Sequence, residues 1–318
     1  MSRTFLAYVA LLLTTIAWAS SLIFYKIILA QITPIVFVAL RYTIATPFLL
    51  IIVLQQRKYT TDGNIRKNWK ILLIAGLSGP FISQVLQYVG LRMTTAGETL
   101  LLLNLTPIFA LVIAALVLKE KITHDKLAGL IFATVGASLI VLNTTPNYSV
   151  IDLQRIIGDI VVIASTLFFA INGIAGKIAI KHESAVSVTF YSTLFVVPFI
   201  WISAALLEDV TVLFAMSSEI WLVVIWVATV NTVAAFILYY ESMKYIEAGR
   251  VQITLNMIGV WGVLMSIVIL HESISLLQIA GGFLTVFGVI IAQITHIRKK
   301  PNEALIMLEE AVEIDKNE

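Results

Sequence analysis

Apolar residues fall in ten runs along the chain, at 5–28, 33–54, 70–90, 97–118, 126–143, 156–178, 184–206, 219–240, 249–270 and 276–296, with short polar segments between them. Each run is close to the roughly 20 residues that carry an α-helix across the hydrocarbon of a bilayer. The pattern predicts an all-α integral membrane protein of ten transmembrane helices. The first run passes Ala17-Trp18-Ala19, which imitates the cleavage site of a secretory signal. It continues apolar to Ile28, past the ~7–15 residues of a signal core, so a retained helix is expected.

The polar punctuation of these runs is written twice. Ala96-Gly97 returns as Ala248-Gly249, Asn104 as Asn256, Glu120 as Glu272, Ala128-Gly129 as Ala280-Gly281 and Gly136 as Gly288, always 152 residues on. Tyr88 and Arg92 meet Tyr240 and Lys244 at the same interval. The earlier helices repeat more faintly at 151: Trp18-Ala19 lies opposite Phe169-Ala170, Lys26 opposite Lys177, and Pro47-Phe48 opposite Pro198-Phe199. A fixed interval without gaps marks a duplication. Two five-helix repeats are therefore expected, at 1–146 and 150–297, followed by an acidic tail at 298–318.

An odd number of spans per repeat makes the second enter the membrane from the side opposite to the first, so the repeats are inverted. Lys and Arg report the orientation, because cytoplasmic loops retain them. With the N-terminus inside, the inner side holds Arg3, Arg57, Lys58, Arg66, Lys67, Lys70, Lys119, Lys121, Lys126, Lys177, Lys181, Lys244, Arg250 and Arg298 to Lys300, and the outer loops only Arg92 and Arg155. Both termini are expected in the cytoplasm of a multi-pass cell-membrane protein. Composition agrees: 59% of residues are hydrophobic, 13% are charged, and the mean hydropathy is +0.97. The net charge of +2 gives nucleic acid no footing. The absence of Cys removes disulfides, thiolate metal sites and cysteine nucleophiles, and the 4 His form no spaced cluster, so neither a cofactor nor a metal is expected.

Inverted repeats suit a transporter, since two mirrored halves can rock about a site between them. The chain resembles the EamA-type members of the drug/metabolite transporter superfamily over nearly its whole length. The resemblance rests on Trp18-Ala19-Ser20-Ser21 leading to Lys26, Ala39-Leu40-Arg41, Gln84 through Tyr88 with Gly90-Leu91, Asn104-Leu-Thr-Pro107 and Leu118-Lys-Glu120-Lys-Ile-Thr123 with Gly129 and Gly136. It implies a carrier of small metabolites, such as amino acids or related polar or anionic compounds, with a central cavity lined by the first four helices of each repeat. Asn104-Leu-Thr-Pro107 becomes Asn256-Met-Ile-Gly259, which leaves open whether the halves bend alike. A lipid-modifying enzyme would need clustered carboxylates or His, which the sequence does not supply. A channel suits the scattered polar positions less well than an occluding site. No Gly-x-x-x-x-Gly-Lys-Ser/Thr loop is present, so transport driven by ATP on this chain is not expected.

The expected partners are therefore a small-molecule substrate and the lipid bilayer, and the sequence carries no signal for an oligomeric state. Arg41 lies seven residues beyond Pro34, or ~10 Å into its helix. An ionisable group at that depth pairs with a carboxylate such as Glu98, satisfies helix-end carbonyls, or serves the pathway. Lys26 and Lys177 close the first helix of each repeat, either snorkelling to the interface or gating anions. Asn104 and Asn256 are either interhelical hydrogen-bonding groups or paired substrate contacts. Gln84, Gln87, Tyr88, Asn172, Asn231, Tyr239 and Tyr240 add polar atoms at similar depth. Trp18 and Trp261 either pack or bound a cavity, and Gly129, Gly136, Gly281 and Gly288 are expected at close helix contacts. Thr123 and the Ser275-Leu-Leu-Gln278 box are placed to cap the fifth and tenth helices. Glu120 and Glu272 are expected as loop or cap groups rather than proton carriers, and Glu241 is the better candidate for coupling or else lies simply at the cytoplasmic end.

Overall fold

The computed structural model describes residues 3–28, 31–56, 65–94, 99, 102–142, 153–270 and 275–294. Apart from turns, every element among them is helical. The first repeat supplies α1 (Arg3–Ile28), α2 (Pro34–Gln56), α3 (Ile65–Gly76), a π-helical segment (Leu77–Ser83) continued by α4 (Gln84–Met93), α5 (Thr106–Val117) and α6 (His124–Leu142). The second supplies α7 (Leu153–Ala179), α8 (Ala185–Leu207), α9 (Ser218–Trp226), a second π segment (Val227–Ala234) continued by α10 (Ala235–Met243), α11 (Ala248–Thr254), α12 (Met257–Leu270) and α13 (Leu276–Ile294). Among the described residues, 8 helical stretches are long and apolar enough to cross a membrane, against the ten expected. Both missing spans belong to the first repeat: the fourth run is interrupted at Asn104-Leu105 and continues as the short Thr106–Val117 segment, and α6 (His124–Leu142) is not among the eight.

Large apolar side chains point outward. Leu116, Leu206, Leu222 and Phe283 are 76%, 77%, 68% and 75% exposed, which water would penalise and hydrocarbon would not. Inward, the repeats interlock. Helix α1 packs on α10 and α12, α2 on α8 and the second π segment, α3 and α4 on α7, and α5 on α7 and α11. No half has a core of its own: one buried cluster joins Tyr25, Phe37 and Tyr88 to Val196, Ile200 and Val224.

The four glycines expected at close contacts are where α6 meets α13. A β-carbon on Gly136 would stand 2.6 Å from the Gly281 carbonyl oxygen, and one on Gly281 2.6 Å from the Gly136 carbonyl oxygen. Gly129 and Gly288 oppose each other in the same way. Backbones this near gain dispersion and weak Cα–H···O contacts that larger residues would forbid.

Local chemistry explains several ends. Ser275 and Gln278 form the expected reciprocal box, Gln278 N–H donating to Ser275 Oγ at 3.2 Å and Ser275 N–H to Gln278 Oε1 at 2.9 Å. The expected Thr123 cap is not made: its hydroxyl is buried without a partner among the described residues, and only its carbonyl starts α6, accepting from Leu127 N–H. The fourth run of both repeats breaks at the repeated Asn, Asn104-Leu105 in one and Leu255-Asn256 in the other. At both breaks the turn tightens to i→i+3 bonds, Ile108 N–H to Leu105 and Ile258 N–H to Leu255. The break therefore survives the loss of proline in the second copy.

Candidate functional site

The π segments place the site. Each interrupts the third helix of its repeat, with Gly79 in the first standing 152 residues before Asn231 in the second. A π turn widens the helix and leaves carbonyls that side chains must satisfy. In the second segment the Asn231 carbonyl accepts from the Trp18 indole of α1 at 3.0 Å and lies 3.5 Å from Nη2 of Arg41. Arg41, 4% exposed, also donates through Nε to Thr232 Oγ1 at 2.6 Å and through Nη1 to Gln84 Oε1 at 3.1 Å. The Tyr88 hydroxyl lies beside Arg41 and Ser21. Among the described residues no carboxylate pairs with the guanidinium. Glu98, the partner considered from sequence, lies outside them. Arg41 is thus a buried cation held by neutral groups from both repeats.

A second polar cluster sits at the pseudo-equivalent place. Tyr240, the counterpart of Tyr88, accepts from Asn172 Nδ2 at 3.1 Å, and Asn172 stands where Ser21 stands in the first repeat. The same Nδ2 donates to the Ala75 carbonyl at 2.8 Å, directly before the first π segment, and a side chain at Gly79 would collide with this amide. Asn231 repeats the arrangement on the other side, its Nδ2 donating to the Ala17 carbonyl and to Ser20 Oγ. Gln252 donates to the Tyr239 hydroxyl at 2.6 Å. The side-chain amide oxygens of Asn172, Asn231 and Gln252 (Oδ1, Oδ1 and Oε1) are buried without partners among the described residues. Trp18 links the clusters: its indole donates to Asn231, and its ring lies 5.2 Å from Tyr239, 5.1 Å from Phe236 and 5.7 Å from Phe169.

Of the residues expected from sequence, Arg41, Gln84, Tyr88 and Trp18 come together, with Tyr240 in the related cluster. Trp261 donates to Thr15 Oγ1 at 3.0 Å on α1 and so pins α12. Asn104 and Asn256 lie at the helix breaks, each with its Nδ2 buried and unpartnered among the described residues. Lys177 does not face the site: its ammonium donates to the carbonyls of Met243 and Ile246, closing the C-terminal end of α10. The side chain of Lys26 lies outside the described residues. Glu241 pairs with Lys244 at 2.7 Å at a partly exposed surface. Thr232 and Gln252 were not singled out from sequence, and Ser20 entered only within the Trp18-Ala19-Ser20-Ser21 motif. Their signal was present only as polar residues inside apolar spans.

A family model described as the EamA-like transporter family matches residues 5–142 and 156–293. The chain belongs to the EamA-like transporter family. This family is part of the drug/metabolite transporter superfamily. The EamA-like chain is 26% identical over 305 residues to the uncharacterized transporter YetK of Bacillus subtilis (strain 168), covering 96% of this chain and 91% of that protein. It is 24% identical to an uncharacterized transporter of Archaeoglobus fulgidus, covering 89% of this chain and 95% of that protein. Against YoaV of Bacillus subtilis, also named an uncharacterized transporter, identity is 23%, with 90% and 96% covered. One solved crystal structure superposes with a TM-score of 0.75 at 18% identity, over 93% of this chain and 98% of its own, which shows the shared fold. Family and relatives alike indicate a multi-pass membrane transporter.

Proposed function

We propose that this EamA-like protein is a secondary transporter of small anionic or zwitterionic metabolites, amino acids or compounds like them, working by alternating access between two inverted five-helix repeats. In this reading there are ten spans, both termini are cytoplasmic, and Arg41 fixes the anionic group of the substrate. The observation that carries it is Arg41 itself. An uncompensated guanidinium within the bilayer is costly, at least ~2.5 kcal/mol on insertion scales. Here it is held in place by neutral acceptors on α4 and the second π segment, so helices of both repeats converge on one charge. A guanidinium offers a planar fork that can hold a carboxylate through two hydrogen bonds, and neutral neighbours leave its charge unspent.

The reading is tested by uptake and efflux in proteoliposomes against amino acids, organic acids, sugar phosphates and nucleosides, with and without a pH gradient. Saturable movement of an anionic or zwitterionic member supports it. Modified lipid without solute movement would place the protein among enzymes instead. The topology has its own test in this Cys-free chain. Single cysteines at Thr145 and Lys299 should differ in sealed right-side-out cells, the first labelling and the second not; equal labelling would refute the inverted arrangement.

A further inference from the structure

The repeated glutamate Glu120 does more than end its own helix. Lys119 takes the left-handed conformation at φ 57°, and the chain folds back so that Glu120 N–H donates to the Ala114 carbonyl at 3.2 Å. This is the closure a helix makes when its last carbonyls are satisfied by the residues that follow. It turns the Glu120 carboxylate toward the other repeat, where Oε1 accepts from Ala248 N–H at 2.8 Å and Oε2 from Gly249 N–H at 3.2 Å. Those are the opening amides of α11. A cap normally comes from the helix's own N-cap residue, but Glu247 makes no side-chain cap there. The first repeat therefore holds the start of a second-repeat helix.

Around this contact lies a ring of charges at one end of the molecule. Lys126, wholly buried, donates to the Lys121 carbonyl at 2.9 Å and stands 3.6 Å from Glu120 and 3.0 Å from Glu247. Arg250, 3% exposed, pairs with Asp125 at 2.7 Å and with Glu247 at 2.7 Å, and donates to the Ala292 carbonyl. Gln293 of α13 donates to the Arg250 carbonyl at 3.2 Å and accepts from the Tyr8 hydroxyl of α1 at 2.8 Å. Burial raises the Glu247 carboxyl, but hydrogen bonds from Arg250 and Lys126, with their charges, outweigh it and hold the group below its ordinary value. Two cations and three carboxylates thus join the α5–α6 turn and α6 to α11 and α13, and Gln293 ties α1 to them through Tyr8.

We propose that Glu120, Asp125, Lys126, Glu247 and Arg250 form the gate that seals the N-terminal, cytoplasmic face of the pathway. The inference rests on the alternating-access reading above. The ring joins the two halves that such a cycle must part. Its charges sit at helix ends, where water can replace each partner as the gate opens, which a seal of apolar side chains could not arrange as cheaply. The gate is also wired to the site. Helix α11 runs from the amides held by Glu120 to the break at Leu255-Asn256, and carries Gln252 against Tyr239 on the way. Releasing α11 therefore moves the Tyr239–Trp18 cluster. Glu120 acts here as a positioning residue through α11.

The test uses the full chain with one reporter cysteine at Val251→Cys, a buried position on α11. Membrane-impermeant maleimide is applied separately to each face of reconstituted vesicles. The parent should label slowly from the N-terminal face. Glu120→Ala and Arg250→Met should each label roughly tenfold faster or more from that face alone, since removing one partner strands the others. Glu120→Gln keeps an acceptor and should fall between. Arg250→Lys keeps a cation between Asp125 and Glu247 and should label more slowly than Arg250→Met. Unchanged labelling from the N-terminal face, labelling that rises equally from both faces, or Arg250→Lys labelling no more slowly than Arg250→Met would overturn the gate. Labelling needs no substrate, so a gate that opens as described in a protein that moves no solute would sink the transport reading and leave the gate standing.

Discussion

Replacing Arg41 by Gln should abolish transport and spare folding, because the two effects draw on different bonds. In the folded protein the loss is small. Thr232 Oγ1 keeps its bond to the Val227 carbonyl and the Asn231 carbonyl keeps the Trp18 indole, so only Gln84 Oε1 is stranded. One unsatisfied buried acceptor costs about 1–3 kcal/mol. Removing a buried guanidinium returns about 2.5 kcal/mol or more, so the two nearly cancel. For a bound anion the balance is one-sided: two hydrogen bonds to a charged group are worth about 1.5–3 kcal/mol each, together a factor of roughly a hundred or more in affinity. Arg41→Lys keeps the charge without the fork and should lose roughly tenfold. Proteoliposome uptake normalised to folded protein, with the unfolding temperature measured in parallel, reads both effects. Normal transport by Arg41→Gln would refute the reasoning, as would equal loss for an analogue lacking its anionic group.

Asn256→Leu removes a buried amide nitrogen that has no partner among the described residues, so the unfolding temperature should hold or rise while transport falls; a drop in stability with transport per folded molecule unchanged would make this amide structural. Gly136→Leu should cost 3 kcal/mol or so, or the fold itself, because the added atoms meet the backbone of Thr285 and Gly281, and size-exclusion yield in detergent reads it. The depressed Glu247 carboxyl stabilises the sealed face above its ordinary value near 4.5, and this contribution is lost as pH falls through and below that value. Labelling of the Val251→Cys reporter, taken relative to a freely exposed cysteine so that thiol ionisation cancels, should therefore quicken below about pH 4.5 and stay flat between pH 6 and 8.

What was legible in the sequence is what repeats in one dimension. The interval of 152 exposed the duplication, and the spaced glycines foretold where α6 and α13 touch, because helix-face periodicity is a property of the chain alone. Depth along a span singled out Arg41 for the same reason. Its partners were not legible: Thr232 is 191 residues away and reaches Arg41 only because a π segment rotates it inward. Pro80 hints at the first π segment, but the second has no proline. Glu120 could be read as a helix-end group, but not as the cap of a helix 128 residues on, since capping patterns are local in sequence. Lys177, read from sequence as either an interfacial amine or an anion gate, donates to carbonyls 66 and 69 residues on, partners that no local pattern reveals. Where a polar break splits an apolar run, as at Asn104, run length in the sequence and helix length in the fold part company.

The central claim is that one site, anchored by Arg41, faces the two sides of the membrane in turn. Counterflow tests it most directly: purified protein in proteoliposomes, an anionic or zwitterionic metabolite loaded inside at excess, and a trace of the labelled compound outside. A carrier with one alternating site should take up label faster when loaded than when empty, with saturation, and the stimulation should vanish in Arg41→Gln. Uptake that rises linearly with concentration and ignores the internal load would contradict the account and indicate a pore.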